Sequence, residues 1–413
     1  MRFLRLALRL ARRGFGATSP NPMVGAVLVK AGKIIGRGWH RRAGAPHAEI
    51  EALRDAQRHG HSARGATLYV TLEPCCTHGR TPPCTDAIIA AGIKRVVWVA
   101  TDPNPAHAGK GFKILKRAGI DVTPPVTFGV PRTAAKGNRS SSDRLKAELR
   151  TLAHECAELN EAFNHWIVRR TPFVTVKAAM TLDGKIATAN GESKWITGER
   201  ARAHAMRLRC GADAILVGIN TVLADNPSLT VRTKMEDRNS PILKPVRRIV
   251  LDSMARTPLM ANVVSDSFAA LTTIVVSRRA PKHRVAALAQ RVNVLVAPAT
   301  KAARASVHSR INLGWLLKKL GAQNVTSLLV EGGGEVNASF LLGDLAQRIA
   351  LFYAPMILGG RDSLKAVAGE GEKRLSDALN LRDIEWKRIG ADLFLTARIG
   401  ADQRRAGTAN RSR

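Results

Sequence analysis

Pro46-His47-Ala48-Glu49, followed by Glu73-Pro74-Cys75 and then Thr81-Pro82-Pro83-Cys84, is the stretch around which the rest of the chain is organised. One imidazole and two thiolates form the donor set of a tetrahedral zinc that keeps a fourth position open. Glu49 stands two residues past the imidazole and reads as an acid/base rather than a ligand. A closed structural zinc would need a fourth ligand, for which Cys76 and His78 are the candidates, and it would leave Glu49 without a role.

Local patterning supports an α/β setting for these residues. Ile50, Leu53 and Ala56 recur at helical spacing after His47, residues 66–72 read as a strand, and Pro82-Pro83 open a helix that Gly92 ends. Residues 94–100 are the next strand. Strand and helix alternate as in an α/β sandwich, and all three ligands are expected at helix N-termini, where the dipole favours thiolate. His-x-Glu with a following Pro-Cys and a further Cys is the signature of zinc deaminases. Eight residues separate Cys75 from Cys84, against two in many nucleobase deaminases, so the loop His78-Gly79-Arg80-Thr81 is expected to read the substrate.

Upstream, residues 2–13 are Arg-rich and acid-free, like a transit peptide. Leu4, Ala7, Leu8 and Ala11 share one face, and the motif region begins so soon afterwards that a first domain helix is the better reading. Pro20-Asn21-Pro22 is a turn before a hairpin over 26–39. Downstream, Asp102-Pro103-Asn104-Pro105 is a loop, residues 131–150 turn polar, and a helix is expected over about 145–168. A second half restarts with a buried strand at 173–178. Its strand at 325–330 runs into Glu331-Gly332-Gly333-Gly334 ahead of a helix, a turn that brings backbone amides close to phosphate. Residues 280–310 read as basic and loosely patterned, and residues 348–353 and 392–398 as closing strands. The expected organisation is a zinc-site deaminase domain over 1–130, a basic insert and linker helix over 131–170, a second domain over 171–400 and a basic tail over 401–413.

The 413 residues suit two or three domains. Five Cys, three of them clustered beside a His motif, argue for a metal site in a reducing, cytoplasmic setting rather than a disulfide framework. No apolar run approaches the roughly 18–20 residues of a membrane span. The formal charge of +33 invites a nucleic-acid reading, a tRNA-type deaminase with a basic accessory domain. Aromatic residues are only 4%, so base-stacking platforms are not evident, and an anionic phosphorylated small substrate fits the charge equally well.

Thr18-x-Pro20-Asn21-Pro22-x-Val24-Gly25, His47-Ala48-Glu49, Thr71-Leu72-Glu73-Pro74-Cys75, Gly79-Arg80-Thr81-Pro82-Pro83-Cys84 and Asp102-Pro103-Asn104-Pro105 together resemble the bifunctional RibD family of riboflavin biosynthesis. In the second half Lys177-Ala178-Ala179-x-Thr181-Leu182-Asp183-Gly184-Lys185, Ser193-Lys194-Trp195-Ile196-Thr197, Gly218-x-x-Thr221-Val222-Leu223-Ala224-Asp225 and Pro227-Ser228-Leu229-Thr230-x-Arg232 resemble its reductase half. Cys76 stands where the family pattern has Ser. The resemblance implies a cytidine-deaminase-like α/β/α sandwich joined to a dihydrofolate-reductase-like α/β domain. It implies Zn2+ on His47, Cys75 and Cys84 with Glu49 catalytic. It implies NADPH against Ala179, Trp195, Thr221, Asp225, Ser253 and the run Gly333, Gly334, Glu335, Val336, Asn337, Ala338, Ser339. Substrate contacts would be Ser193, Arg209, Leu229, Arg232 and Glu331, and the assembly a homo-oligomer, dimer or higher. The implied partner is a phosphorylated pyrimidine, with neither nucleic acid nor membrane involved. For the proton in the reductive step Lys177, Asp225 and Glu331 are equal candidates.

Overall fold

The computed structural model describes residues 1–78, 82–123, 141–231, 245–298 and 311–400, with backbone alone for 141–146. The chain divides into one unit of Met1–Arg170 and a second that begins at Thr171. Arg232, the loop tip 79–81, residues 131–140 of the polar insert and the tail 401–413 lie outside the described residues.

The first unit runs α1 (Arg2–Ala11), β1 (Gly25–Lys30), β2 (Lys33–Trp39), α2 (Ala48–Arg58), β3 (Thr67–Leu72), α3 (Cys84–Ala90), β4 (Arg95–Ala100), α4 (Lys110–Arg117), β5 (Asp121–Thr123), α5 (Ser141–Leu159) and α6 (Glu161–Arg169). Its sheet has the order β2-β1-β3-β4-β5. β1 is antiparallel to both neighbours, whereas β3, β4 and β5 are parallel. β1 is buried on both faces, which is why it reads as a continuous apolar run. Val27 and Val29 pack against Ala7 and Leu10 of α1. Ala26 and Leu28 face Ala52 and Ala56 of α2 and Ile88 of α3. α5 joins α1 on the first face, with Leu152 and Cys156 packed beside Leu4, Leu8 and Val99. The result is helix, sheet and helix in three layers.

The helix expected over 145–168 is two helices. Asn160 breaks it, with φ −109° and ψ 18°, because its side chain is committed elsewhere. Its Oδ1 accepts from the Met23 N–H at 2.7 Å, and its Nδ2 donates to the Met23 carbonyl at 3.0 Å.

The second unit runs β6 (Phe173–Thr181), β7 (Lys185–Ala187), α7 (Glu199–Gly211), β8 (Ala214–Gly218), α8 (Ile219–Asp225), β9 (Arg247–Leu251), α9 (Asn262–Ser265), β10 (Thr272–Ser277), α10 (Lys282–Ala289), β11 (Asn293–Ala297), α11 (Leu313–Ala322), β12 (Ser327–Val330), α12 (Gly334–Leu341), β13 (Arg348–Ala354), β14 (Leu364–Lys365), β15 (Leu381–Ile389) and β16 (Asp392–Ile399). Nine strands form one sheet in the order β11-β10-β9-β8-β12-β6-β13-β16-β15, parallel up to β13 and antiparallel thereafter. β12 sits at the centre, flanked by β8 and β6. Since all three are parallel, Gly218 and Glu331 leave the sheet at the same edge, the usual ligand side of such a sheet. The stretch read as loosely patterned contains α10 and β11.

Candidate active site

The first site begins with a close approach. A Cβ on Gly38 of β2 would run into the carbonyl oxygen of Ala48, so the bare strand lets the start of α2 seat against it. That seats His47 as the N-cap of α2 and Glu49 in its first turn, 3% exposed. Cys84 is the first residue of α3, and Pro83 caps it. Cys75 is not at a helix N-terminus, contrary to the expectation for all three ligands. Glu73-Pro74 ends the strand pairing and leaves Cys75 in the loop after β3. Its sulfur nevertheless accepts the Cys84 N–H at 3.3 Å, and its carbonyl accepts the Thr85 N–H at 3.2 Å, so the start of α3 holds it.

The His47 Nδ1 lies 3.4 Å from Cys75 Sγ and 3.3 Å from Cys84 Sγ, and the three donor atoms all lie within 4.8 Å of one another. Bonds of about 2.0–2.3 Å to a tetrahedral zinc place donors roughly 3.5–3.8 Å apart, so the group fits the ion with little adjustment. Among the described residues this is the one cluster of metal-donor type, and Cys76 and His78 are not in it. The fourth position is therefore not supplied by either residue.

A hydrogen bond with Cys84 outweighs burial and, with His47, lowers the Cys75 thiol, while the same bond and burial raise that of Cys84. The hydrogen bond with Cys75 raises the pKa of His47 against the effect of burial. Burial first, then the Cys75 charge, pushes the Glu49 carboxyl up to about 7. Glu49 also lies within hydrogen-bonding reach of the Cys84 thiol.

These residues open into a cavity of about 270 Å³. Its polar lining includes Asn21, His40, His47, Glu49, Asp102, Asn104 and His107. Its apolar lining includes Phe163, Trp166 and Ile167 of α6. Asn21 Nδ2 meets His40 Nε2 at 3.1 Å, and His40 Nδ1 meets the Pro46 carbonyl at 3.1 Å. Burial lowers the pKa of His40, which favours a neutral ring that donates on one nitrogen and accepts on the other. Thr77, at the root of the loop between the two Cys, is 2.7 Å from His107 Nε2, whose Nδ1 is 3.2 Å from Asp102 Oδ2.

In the second unit, Arg209 of α7 grips Glu331 at the end of β12 with both ends of its fork, Nε–Oε1 2.8 Å and Nη2–Oε2 2.9 Å. Lys177 of β6 stands 4.0 Å from the same carboxylate. Burial alone would raise the Glu331 carboxyl; Lys177 and Arg209 override it and hold the group at about 2. Arg209 is thus a paired, half-buried cation rather than a solvated helix face. Its Nη1 also donates to the Thr230 carbonyl at 3.1 Å. Leu229 is buried with φ +50°, in the left-handed region, so this loop is held in an unusual backbone path.

Ser193 donates to Asp225 at 3.3 Å, and Lys194 pairs with the same carboxylate at 3.3 Å, which joins the polar loop to α8, where Thr221 also lies. Trp195 is 70% exposed with the Arg202 guanidinium 4.6 Å from its ring centre, so it is not core. Ala179 lies on β6 and packs against the cluster around Phe352. Ser253 follows β9, where its carbonyl accepts from the Ser277 hydroxyl at 2.7 Å rather than joining the pairs above. On α12, Asn337 is buried and donates to the Ala366 carbonyl at 2.8 Å, Glu335 accepts the Gly369 N–H at 3.2 Å, and the Ser339 hydroxyl bonds the Glu335 carbonyl. Val336 presses on Gly218 and Gly332, and Ala338 is buried.

Three contributors escaped the sequence reading. Glu73 accepts N–H groups from Asp102, Gly109 and Gly111, tying the loop after β4 and the start of α4 to the end of β3. Its place in the Glu-Pro-Cys motif was the available signal. Arg248 is 1% exposed; it pairs doubly with Asp266 and donates to the Ser228 carbonyl beside Leu229. Nothing in Arg247-Arg248-Ile249 marks one Arg as internal. The third is α6.

A two-part α/β protein whose first unit converges one His and two Cys beside a buried Glu belongs to the class of zinc-binding deaminase proteins carrying a second enzymatic domain. Residues 1–100 match the family described as the cytidine and deoxycytidylate deaminase zinc-binding region, and residues 172–395 match the RibD C-terminal domain. The riboflavin biosynthesis protein RibD of Aquifex aeolicus is 41% identical over 95% of this chain and 96% of its own length; that of Actinobacillus pleuropneumoniae is 39% identical over 95% and 93%. Among solved structures, Acinetobacter baumannii RibD superposes with a TM-score of 0.78 at 32% identity, over 97% of this chain and 98% of that one. A Thermotoga maritima diaminohydroxyphosphoribosylaminopyrimidine deaminase/5-amino-6-(5-phosphoribosylamino)uracil reductase does so with 0.74 at 32% identity, over the same shares. The chain belongs to the RibD family and is a bifunctional deaminase and reductase of riboflavin biosynthesis.

Proposed function

We propose that the first unit hydrolyses the ring amine of 2,5-diamino-6-(5-phosphoribosylamino)pyrimidin-4(3H)-one, and that the second uses NADPH to reduce the ribosyl side chain of 5-amino-6-(5-phosphoribosylamino)uracil to ribityl. The observation that carries this reading is the convergence of His47, Cys75 and Cys84 beside buried Glu49. Zinc on those three residues would supply a Lewis acid that makes water a nucleophile at neutral pH. Glu49, with its carboxyl pushed up to about 7, is poised to take a proton from water and return it to the departing amine. Asn21 and His40 offer fixed polar atoms for the edge of a pyrimidine.

In the second unit the glycine triplet separates into two roles. A Cβ on Gly332 would meet Val336, and one on Gly334 would meet the Lys365 carbonyl, so both are required by internal packing. Gly333, the N-cap of α12, has open space where a Cβ would be. Internal packing gives no reason for glycine there, while a close-approaching phosphate does, which supports NADPH at this turn. Ala179, Trp195, Thr221, Asp225 and Ser253 would complete the cofactor contacts. Ser193, Arg209, Leu229, Arg232 and Glu331 would hold the phosphorylated substrate. Because Arg209 already binds both oxygens of Glu331, Glu331 acts by fixing that guanidinium, and Lys177 is the better proton donor of the candidates. Five cysteines outside any disulfide, three of them clustered at the candidate metal site or next to it, support a cytoplasmic enzyme. A small-molecule partner, not nucleic acid, and a homo-oligomeric state complete the reading.

A coupled assay tests it. The phosphorylated diaminopyrimidine should release one ammonia per molecule, and NADPH oxidation should follow only after release. NADPH oxidation without prior ammonia release, or release from cytidine alone, would count against it.

A further inference from the structure

We infer that α6, the helix that ends the first unit, is the stacking wall of the deaminase cavity, with Phe163 and Trp166 as specificity-determining residues for a planar, electron-poor ring. The inference rests on the reading of this cavity as the pyrimidine deaminase site and assigns residues that neither the zinc motif nor the matched deaminase region, which ends at residue 100, includes.

Three observations carry it. First, Phe163 and Trp166 lie three residues apart on α6 and share a face, and both line the same cavity as His40, His47 and Glu49. The other side of the helix end is exposed, with Val168 at 52%. Second, the helix is fastened to the site rather than merely adjacent to it. Asn160, 6% exposed, pairs its whole amide with the N–H and carbonyl of Met23, 137 residues away in sequence. Met23 directly follows Pro20-Asn21-Pro22, which forms another part of the same cavity. One two-point clamp therefore fixes the distance between the Asn21 edge and the aromatic wall. Third, the cavity divides by chemistry. Its lining combines hydrogen-bonding groups suited to a ring edge with the aromatic side chains of α6, which are suited to a ring face. A flat heteroaromatic base satisfies both; a saturated ring or an aliphatic amine satisfies only the first.

The test uses the full-length zinc-loaded protein and reads ammonia release from the phosphorylated diaminopyrimidine. Leu fills most of the space of an aromatic ring but offers no π face, so Phe163→Leu and Trp166→Leu should each raise KM by roughly tenfold, with kcat changed far less. Trp166→Phe should stay close to wild type, since it keeps a face. Zinc stoichiometry and the NADPH-dependent step on the deaminated product should not change in any of the three. Wild-type KM in both Leu variants would overturn the wall, as would a Trp166→Phe variant as impaired as Trp166→Leu. Phe163 is only half-buried, so its variant remains informative even where a Trp166 substitution fails to fold. Wild-type protein that releases no ammonia at all would instead overturn the deaminase reading beneath the inference, so the two failures are distinguishable.

Discussion

The two units use charge in opposite ways. In the first, the donors of His47, Cys75 and Cys84 crowd together, and nearby Glu49, with no Lys or Arg pairing its carboxylate among the described residues, is pushed up to about 7 by burial. In the second, the charged groups neutralise one another: Arg209 holds Glu331 at both oxygens, Lys177 stands behind it, and Ser193 and Lys194 share Asp225. The first arrangement suits an ion and proton transfer. The second suits orientation, which is the protein's main contribution to hydride transfer from a bound nicotinamide.

The contrast can be broken from either side. The largest effect is expected from Cys75→Ala, which removes one of three metal donors: zinc content by elemental analysis should fall to near zero and ammonia release should vanish, while NADPH oxidation on supplied deaminated product continues. Retained zinc and activity would show that the donor set is wrongly drawn. Next comes Glu331→Gln, which leaves the Arg209 guanidinium without its counter-charge. A cost of about 3–5 kcal/mol in the second unit is expected, read as a lower denaturation midpoint there with ammonia release unaffected.

The same carboxylate sets a pH dependence. Its folded pKa of about 2 lies below the ordinary 4.5, so its stabilisation is full above pH 4.5 and is lost as pH falls toward 2. About 3 kcal/mol should disappear across that window in the wild type, by the usual ~1.4 kcal/mol per pKa unit, and the step should be absent in Glu331→Gln. An acid limb identical in the two proteins would assign the loss to other carboxylates. A smaller effect is expected from Gly334→Ala, whose Cβ meets the Lys365 carbonyl; roughly 1–3 kcal/mol of overpacking should appear in thermal melts. Gly333→Ala should leave the melt nearly unchanged yet weaken NADPH binding, which titration of cofactor fluorescence would show.

How much of this was legible follows from how local each feature is. The zinc trio spans 47–84, and each member sits beside a Pro or a helix start, so the local motif located it; only the expectation that Cys75 lies at a helix N-terminus failed, because Glu73-Pro74 ends the strand without starting a helix. The five-stranded sheet was legible for the same reason: β1 and β4 are short apolar runs between turn residues. α6 was visible as helix but not as part of a site, since Phe163 and Trp166 have the spacing of any packed helix face. Its break from α5 depends on Asn160 reaching Met23, a contact that no local pattern encodes. β15 escaped notice because it is an exposed edge strand, Arg-Asp-Ile-Glu-Trp-Lys-Arg, with no burial alternation to read. In the second unit, resemblance named the residues, but which charges pair with which required the parallel order of β8, β12 and β6.

The central claim is that Glu49 moves the proton at a zinc held by His47, Cys75 and Cys84. Glu49→Gln keeps the size of the side chain and removes the base. The account predicts ammonia release slowed by about 10²–10⁴-fold, with one zinc per chain retained and the reductive step intact. Ammonia release at the wild-type rate in a zinc-loaded Glu49→Gln protein would contradict it.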